Sequence, residues 1–326
     1  MTNRRTALRG LAAGAATLLA GRGFAQDDKP PISILVGAAS SMDFTARLIA
    51  DQMRESLGRT AIVVSKLGAG QRLALGECKR AARDGRTLVF ATSGPFAIYP
   101  HVYTRLDYDP VADFTPIIGI SKFDVAISTA PGVTGANTLQ ELVAWVKARK
   151  PGDAVFGSAP GNGSLSHFLG LSVGLATHTK LTHVAYKDSG VGLIDLAAGR
   201  LPIMITGLQP QIEFHKAGKT KILAVSGDKR SPLVPDVPTL AEAGVPISSS
   251  TSTGVFGPAG LPADLVRRYH DAIAPMLSNP AIVEKLTQQA MTVWHATPPQ
   301  LATALAQERS QFERLARDSG FVRQDA

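Results

Sequence analysis

From Ile32 to Val225 the sequence alternates short β-branched runs with stretches of helical periodicity, and that alternation restricts the chain to parallel-rich sheets covered by helices. Ile32-Ser33-Ile34-Leu35-Val36 reads as a strand, Phe44 to Leu57 as a helix, Ala61 to Val64 as a strand and Leu73 to Ala82 as a helix. Leu88-Val89-Phe90-Ala91 adds a buried strand. After Asp113 to Ile120 and Val125 to Ser128 the pattern starts again. Leu139 to Ala148, Leu165 to Leu175 and Gly192 to Ala198 have helical spacing, and Ala154 to Phe156, Thr182 to Tyr186, Ile203 to Ile205 and Ile222 to Val225 have strand character.

Two runs of this α/β pattern predict two lobes. About 300 residues beyond the N-terminal segment also exceed the size at which a single core stops growing. The tail predicts three helices, Pro262 to Leu277, Pro280 to Ala290 and Pro298 to Asp318, each entered through proline, which the first helical turn tolerates. C-terminal helices packing back on the first lobe make that lobe discontinuous. The expected division is 1–25, 26–124, 125–248 and 249–326, with the second lobe in the third segment.

Residues 1–25 read as a cleavable export signal peptide: a basic pair at Arg4 and Arg5, an apolar Leu8 to Ala20 stretch, then Gly23-Phe24-Ala25. Asn3 to Leu8 resembles a twin-arginine (Tat) export signal without its usual Phe, so an ordinary secretory leader stays open. The apolar stretch is shorter than the roughly 20 residues of a bilayer span. Arg4, Arg5, Arg9 and Arg22 with no acid account for half of the formal charge of +8. The remaining charge is weak, aromatics are few, and no Lys/Arg block interleaves with them, so no nucleic-acid partner is expected. Cys78 is the sole cysteine and reads as a small buried residue, so the chain has no internal disulfide.

Several strand-end loops carry candidate binding groups. Gly37 to Asp43 joins the first strand to the first helix, and Ser40 with Asp43 has capping-box spacing. Backbone N–H groups and the helix dipole there suit a carboxylate, giving Ala38, Ala39, Ser40, Ser41 and Asp43 as candidates, while the plainer alternative is a helix cap alone. The second loop, Ser158 to His167, offers Ser158, Gly161, Asn162, Gly163, Ser164 and His167 at the equivalent place in the second lobe. Paired strand-to-helix loops favour a ligand, because open α/β sheets bind at the carboxyl ends of their strands. Thr92 and Ser93 follow another strand, Lys187 and Asp188 another, and Gln209 closes the set.

Enzyme patterns fail on the same residues. In Gly157-Ser158-Ala159-Pro160-Gly161 the serine sits one position early for a nucleophile elbow, and Leu73 occupies the third-glycine position after Gly68-Ala69-Gly70. No Walker loop or metal-ligand spacing occurs. No enzyme activity, cofactor or metal is expected.

Four motifs, in order and spacing, carry a family resemblance across residues 31–322. They are Asp84 to Leu88, Leu106 to Pro110 with Asp113 to Pro116, Lys229 to Gly244 (Arg230-Ser231-Pro232, Pro235-Asp236-Val237-Pro238-Thr239, Glu242-Ala243-Gly244), and Phe256 to Gly260. In these the chain resembles the tripartite tricarboxylate transporter receptors, the TctC or Bug solute receptors of Gram-negative periplasms. The resemblance implies a two-lobed periplasmic binding protein fold with a ligand cleft between the lobes. It further implies closure on a small carboxylate held by the backbone of loop 38–43 and by loop 158–167, a permease partner and a monomeric receptor. A sensor signalling to a histidine kinase, or an exported serine hydrolase using His167, are the alternatives.

Two departures bear on the ligand. Ala38-Ala39-Ser40-Ser41 replaces the family's Pro-Pro-Gly-Gly, trading glycine freedom for hydroxyls. Asp188 replaces Gly after Tyr-Lys. A carboxylate there repels a second ligand carboxylate unless Lys187 or a ligand ammonium offsets it. That favours a monocarboxylate, an aromatic acid or an amino-bearing acid over citrate, unless Asp188 simply faces solvent.

Overall fold

The computed structural model describes residues 30–38 and 41–325. The proposed leader, Ala39 and Ser40 lie outside these residues. Among the described residues ten strands make two sheets that share one long strand. They are β1 (Ile32–Val36), β2 (Ala61–Ser65), β3 (Thr87–Thr92), β4 (Phe114–Thr129), β5 (Ala154–Ser158), β6 (Leu181–Ala185), β7 (Ile203–Gly207), β8 (Lys221–Val225), β9 (Ser250–Pro258) and β10 (Met291–Ala296).

The first sheet runs β2-β1-β3-β9-β4, with β10 on the far side of β4. β1 pairs in parallel with β2 and β3, and its apolar run is buried because helices cover both faces. Helix α1 (Ser41–Leu57) lays Met42, Ala46, Ile49, Ala50 and Met53 against this sheet. Their spacing keeps them on one stripe of the helix. On the opposite face α2 (Arg72–Lys79) buries Cys78, whose thiol burial pushes up to about 12, so it stays protonated and inert.

β4 turns from one sheet into the other within its 16 residues. Phe114 to Asp124 pair antiparallel with β9, and Val125 to Thr129 pair with β7 and β8. The second sheet continues β7-β5-β6 in parallel. It is covered by α3 (Leu139–Lys147), α4 (Leu165–Thr177) and α5 (Ser189–Ala197). Its core gathers Phe156, Phe168, Leu169, Ile203 and Leu223.

The tail departs from three plain helices. α6 (Ala263–Ile273) gives way to a 3₁₀ turn at Ala274–Ser278, where Pro275 lacks the N–H an α-helix needs. α7 (Pro280–Gln288) then leads into β10, a strand in the stretch that the sequence reading left unassigned between its second and third tail helices. α8 (Pro298–Asp318) spans both cores. Leu301 and Leu305 pack among Phe96, Phe114 and Phe256 of the first lobe, while Phe312 and Ala316 join the second, with Phe312 and Phe168 rings 5.7 Å apart. The last helix thus ties together the two bodies that β4 and β9 connect through their backbones.

Candidate ligand-binding cleft

The two sheets face each other across a cleft of 510 Å³. The first lobe contributes Ser41 at the head of α1, Phe123 and Asp124 from the turn of β4, and Gln289, Ala290 and Met291 before β10. Opposite them stand Ala159 and Pro160 after β5, Asp188 to Gly190 at the head of α5, and Thr206 to Pro210 at and beyond the end of β7. Two of these segments open α-helices, α1 at Ser41 and α5 at Ser189, so the partially positive ends of two helix dipoles lie beside the cleft. A larger depression of 650 Å³ beside Tyr103, Arg105 and Arg323 is a groove on one flank that no second-lobe strand end reaches.

Loop one is positioned through Gln71. This residue is buried at φ 74°, and a Cβ on Gly37 would lie 2.5 Å from its Cα, so the loop lies directly on it. The Gln71 amide donates to Thr92 Oγ1 at 2.6 Å and its carbonyl accepts from Thr92 N at 3.1 Å. Ser93 is buried and tied to β9, donating N–H to Ser252 O at 2.8 Å and accepting from Ser252 N at 3.3 Å. Thr92 and Ser93 therefore brace the first lobe beneath the cleft. Asp43 directs its carboxylate along α1 to Arg47 (2.8 Å) and to Ser65 Oγ (3.3 Å). Ser41 lines the cleft, and Ala38 packs partly buried against the first core.

In the second loop, Ala159 and Pro160 are presented to the cleft and the remaining groups hold them there. Ser158 is buried, donating to Gly161 O (3.2 Å) and hydrogen-bonded to His183 Nε2 (2.8 Å). Ser164 caps α4 through His167 N (3.2 Å) and donates to Gly161 O (2.9 Å). His167, placed among the ligand contacts by sequence, is instead buried behind the loop: its Nδ1 accepts from Gly163 N at 3.1 Å, and its ring stacks on His183 at 3.7 Å. Burial, and for His167 the neighbouring His183, hold both imidazoles down at about 4, so both are neutral near pH 7. Gly161 and Gly163 supply positive φ, 58° and 68°, and Asn162 is exposed between them.

Lys187 is exposed and does not line the cleft, so it supplies no counter-charge there. Asp188 does line it, but as a helix cap: Oδ1 accepts from Gly190 N at 2.7 Å and Val191 N at 3.3 Å. Asp188→Ala is therefore expected to lower stability by about 1 kcal/mol, whereas Asp188→Asn, which can still cap, leaves the urea midpoint near that of the wild type. Gln209 is exposed on the cleft wall.

Sequence reasoning missed Asp124. Ser250 Oγ donates to its Oδ1 at 2.7 Å, and its backbone carbonyl accepts from Leu208 N at 2.9 Å. Desolvation raises its carboxyl above the ordinary range, with Asp228 adding to the rise and Ser250 and Lys122 opposing it. The visible signal was a polar break between two apolar runs at the crossover. Phe123 and Gln289 to Met291 carried no comparable mark.

A cleft between two α/β lobes, walled by strand ends and helix starts, defines a solute receptor. The chain matches the family model described as "Tripartite tricarboxylate transporter family receptor" over residues 45–321, and it belongs to this family. A UPF0065 protein of Bordetella bronchiseptica is 31% identical over 287 residues, covering 87% of this chain and 84% of that protein. Rpa4515 of R. palustris, solved with adipate, superposes with a TM-score of 0.81 at 27% identity, over 91% of this chain and 100% of that one. MatC from Rhodopseudomonas palustris, with bound malate, gives 0.75 at 27% identity over 88% and 98%. The family consists of periplasmic substrate-binding receptors rather than enzymes; its members bind small carboxylates and work with tripartite transporters. Among the described residues no helix is long and apolar enough to cross a membrane.

Proposed function

We propose that this chain is an exported receptor of a Gram-negative periplasm that captures one small carboxylate between its lobes and delivers it to the membrane subunits of a tripartite tricarboxylate transporter. The observation that carries this reading is the cleft itself, with the head of α1 at Ser41 on one wall and Ala159-Pro160 on the other. Backbone N–H groups at a helix start suit a carboxylate without a dedicated cation. The adipate and malate bound to the two similar structures support that chemistry.

Each lobe offers only part of the ligand's surroundings, so the closed arrangement gains contacts the open one lacks, and ligand shifts the population toward it. Export by the twin-arginine or general secretory route, with cleavage after Ala25, and action as a monomer complete the proposal.

A thermal-shift screen of the purified protein against mono-, di- and aromatic carboxylates tests it. At 100 times Kd a ligand specific to the folded state adds about 2.7 kcal/mol, enough to raise Tm by several degrees. If no carboxylate raises Tm, the receptor reading fails.

A further inference from the structure

Two histidines of the first lobe meet away from the cleft, which neither of them lines. His270 stands in the last turn of α6 and His295 near the end of β10, 25 residues apart, so no sequence spacing pairs them. Their Nε2 atoms lie 3.2 Å from each other, with ring centroids 5.3 Å apart. β10 shifts register against β4 between Val293 and Ala296, and a bulge of this kind re-aims the side chains it contains, His295 among them.

The far nitrogen of His270 is already engaged. Nδ1 lies 2.9 Å from Asp271 Oδ1, and a carboxylate only accepts, so in the neutral ring Nδ1 carries the proton and Nε2 presents a lone pair. A carboxylate on the far nitrogen is the arrangement that orients metal-ligating imidazoles and strengthens them as ligands. A proton on His295 Nε2 satisfies the His270 lone pair in the ion-free chain. A metal ion takes the place of that proton once His295 moves it to Nδ1, a tautomer change without change of charge.

The spacing suits such an ion. At metal–nitrogen distances of about 2.0–2.1 Å, two nitrogens 3.2 Å apart subtend about 100–106° at the metal, close to the tetrahedral angle. The His270 side chain is held, at 17% exposure, whereas His295 is exposed and borders a depression of 470 Å³, which gives an ion a path in. Among the described residues no third histidine, cysteine or acid joins the pair, so water fills the remaining positions and the ion exchanges freely.

We propose that His270 and His295 form a site for one divalent transition-metal ion of the kind imidazole favours, Zn²⁺, Ni²⁺ or Cu²⁺, with Asp271 orienting His270. Bound there, the ion links α6 to β10 and stabilises the folded chain.

Calorimetric titration of the purified full chain, without a histidine tag, with Zn²⁺, Ni²⁺, Cu²⁺ and Mg²⁺ tests the site. At least one of the three transition ions is expected to bind at one equivalent per chain, and Mg²⁺, which takes oxygen ligands, should not compete. His270→Ala and His295→Ala should each weaken that binding at least tenfold. The ion should raise the Tm of the wild type and leave that of His295→Ala unchanged.

Absence of binding by all three transition ions would overturn the proposal, as would wild-type affinity in either histidine variant. A measurement on the wild type alone decides the matter even if a variant misfolds. Substoichiometric Cu²⁺ should broaden the side-chain NMR signals of His270 and His295 before those of the other five histidines, and broadening centred on any of those five would overturn the assignment.

Discussion

Gly163→Ala is expected to lose about 2–5 kcal/mol of stability and most of its ligand affinity, from a left-handed backbone penalty of about 1–2 kcal/mol and an overpacking cost of about 1–3 kcal/mol. The backbone at Gly163 has φ 68°, and an added Cβ would lie 2.4 Å from Val102 Cγ1 and 2.8 Å from Cγ2. Val102 cannot yield easily. It is fully buried at the end of a short helix, Tyr99–Val102, and belongs to the same core as Phe168 and Leu169.

The Gly163 N–H is also the group that engages His167, so displacement at this position releases the loop that presents Ala159 and Pro160. Urea unfolding and calorimetry on Gly163→Ala, Val102→Ala and the double variant separate the causes. The double variant should recover the steric part, visible as a coupling energy of at least 1 kcal/mol, and leave the backbone part. An unchanged urea midpoint in Gly163→Ala would refute the account.

Most regular elements were legible to within a few residues because their burial follows simple periods. The strand at Ile32–Val36 and the helix from Leu139 have the bounds that alternation and capping imply. The crossings between the lobes were expected near 124/125 and 248/249; what escaped was that long strands, β4 and β9, carry them. β9 begins Ser-Thr-Ser-Thr-Gly, with no apolar alternation, and reads locally as a linker. Its hydroxyls can be buried only because partners distant in sequence satisfy them: Ser252 Oγ donates to Glu308 at 2.9 Å, and Thr253 Oγ1 bonds Ser121 Oγ at 2.9 Å.

β4 likewise appeared as two apolar runs, since the polar Ser121, Lys122 and Asp124 interrupt the pattern where the strand changes sheets. Asp124, one of the residues that line the cleft, falls within that interruption. Candidate loops were visible in sequence from their glycines and hydroxyls. Whether a side chain faced the cleft or braced the loop from behind, as His167, Ser158 and Thr92 do, depended on tertiary partners that no local pattern carries.

The stacked histidine pair, His167 buried and His183 half-buried, makes acid the agent that should loosen the second loop. His167 and His183 lie with rings 3.7 Å apart and 12° between planes, beside Phe156, Phe168 and Phe321. Accepting from Gly163 N fixes His167 as the neutral form with its proton on Nε2. Protonating Nδ1 would set N–H against N–H and place a cation beside its neighbour. Burial first, and then His183, accordingly hold His167 at about 4 against an ordinary 6.5; burial does the same for His183.

Well above pH 6.5 both rings are neutral in folded and unfolded chains, so they contribute no pH dependence. Between about 6.5 and 4 the unfolded chain binds more protons, so stability falls as pH falls. Below about 4 the difference is constant. The full change is worth roughly 3 kcal/mol for His167 alone. The measurement is the urea midpoint from pH 7.5 to 4 for the wild type and for His167→Asn/His183→Asn. The wild type should lose stability more steeply across this window, and the difference between the two curves isolates the pair from the carboxylates common to both. Ligand affinity should fall in the same window in the wild type, because the loop that protonation disrupts is the one that presents Ala159 and Pro160. Parallel stability curves for the two proteins would mean that the stacked rings are protonated without cost, and the role assigned to them in holding the cleft wall would fall.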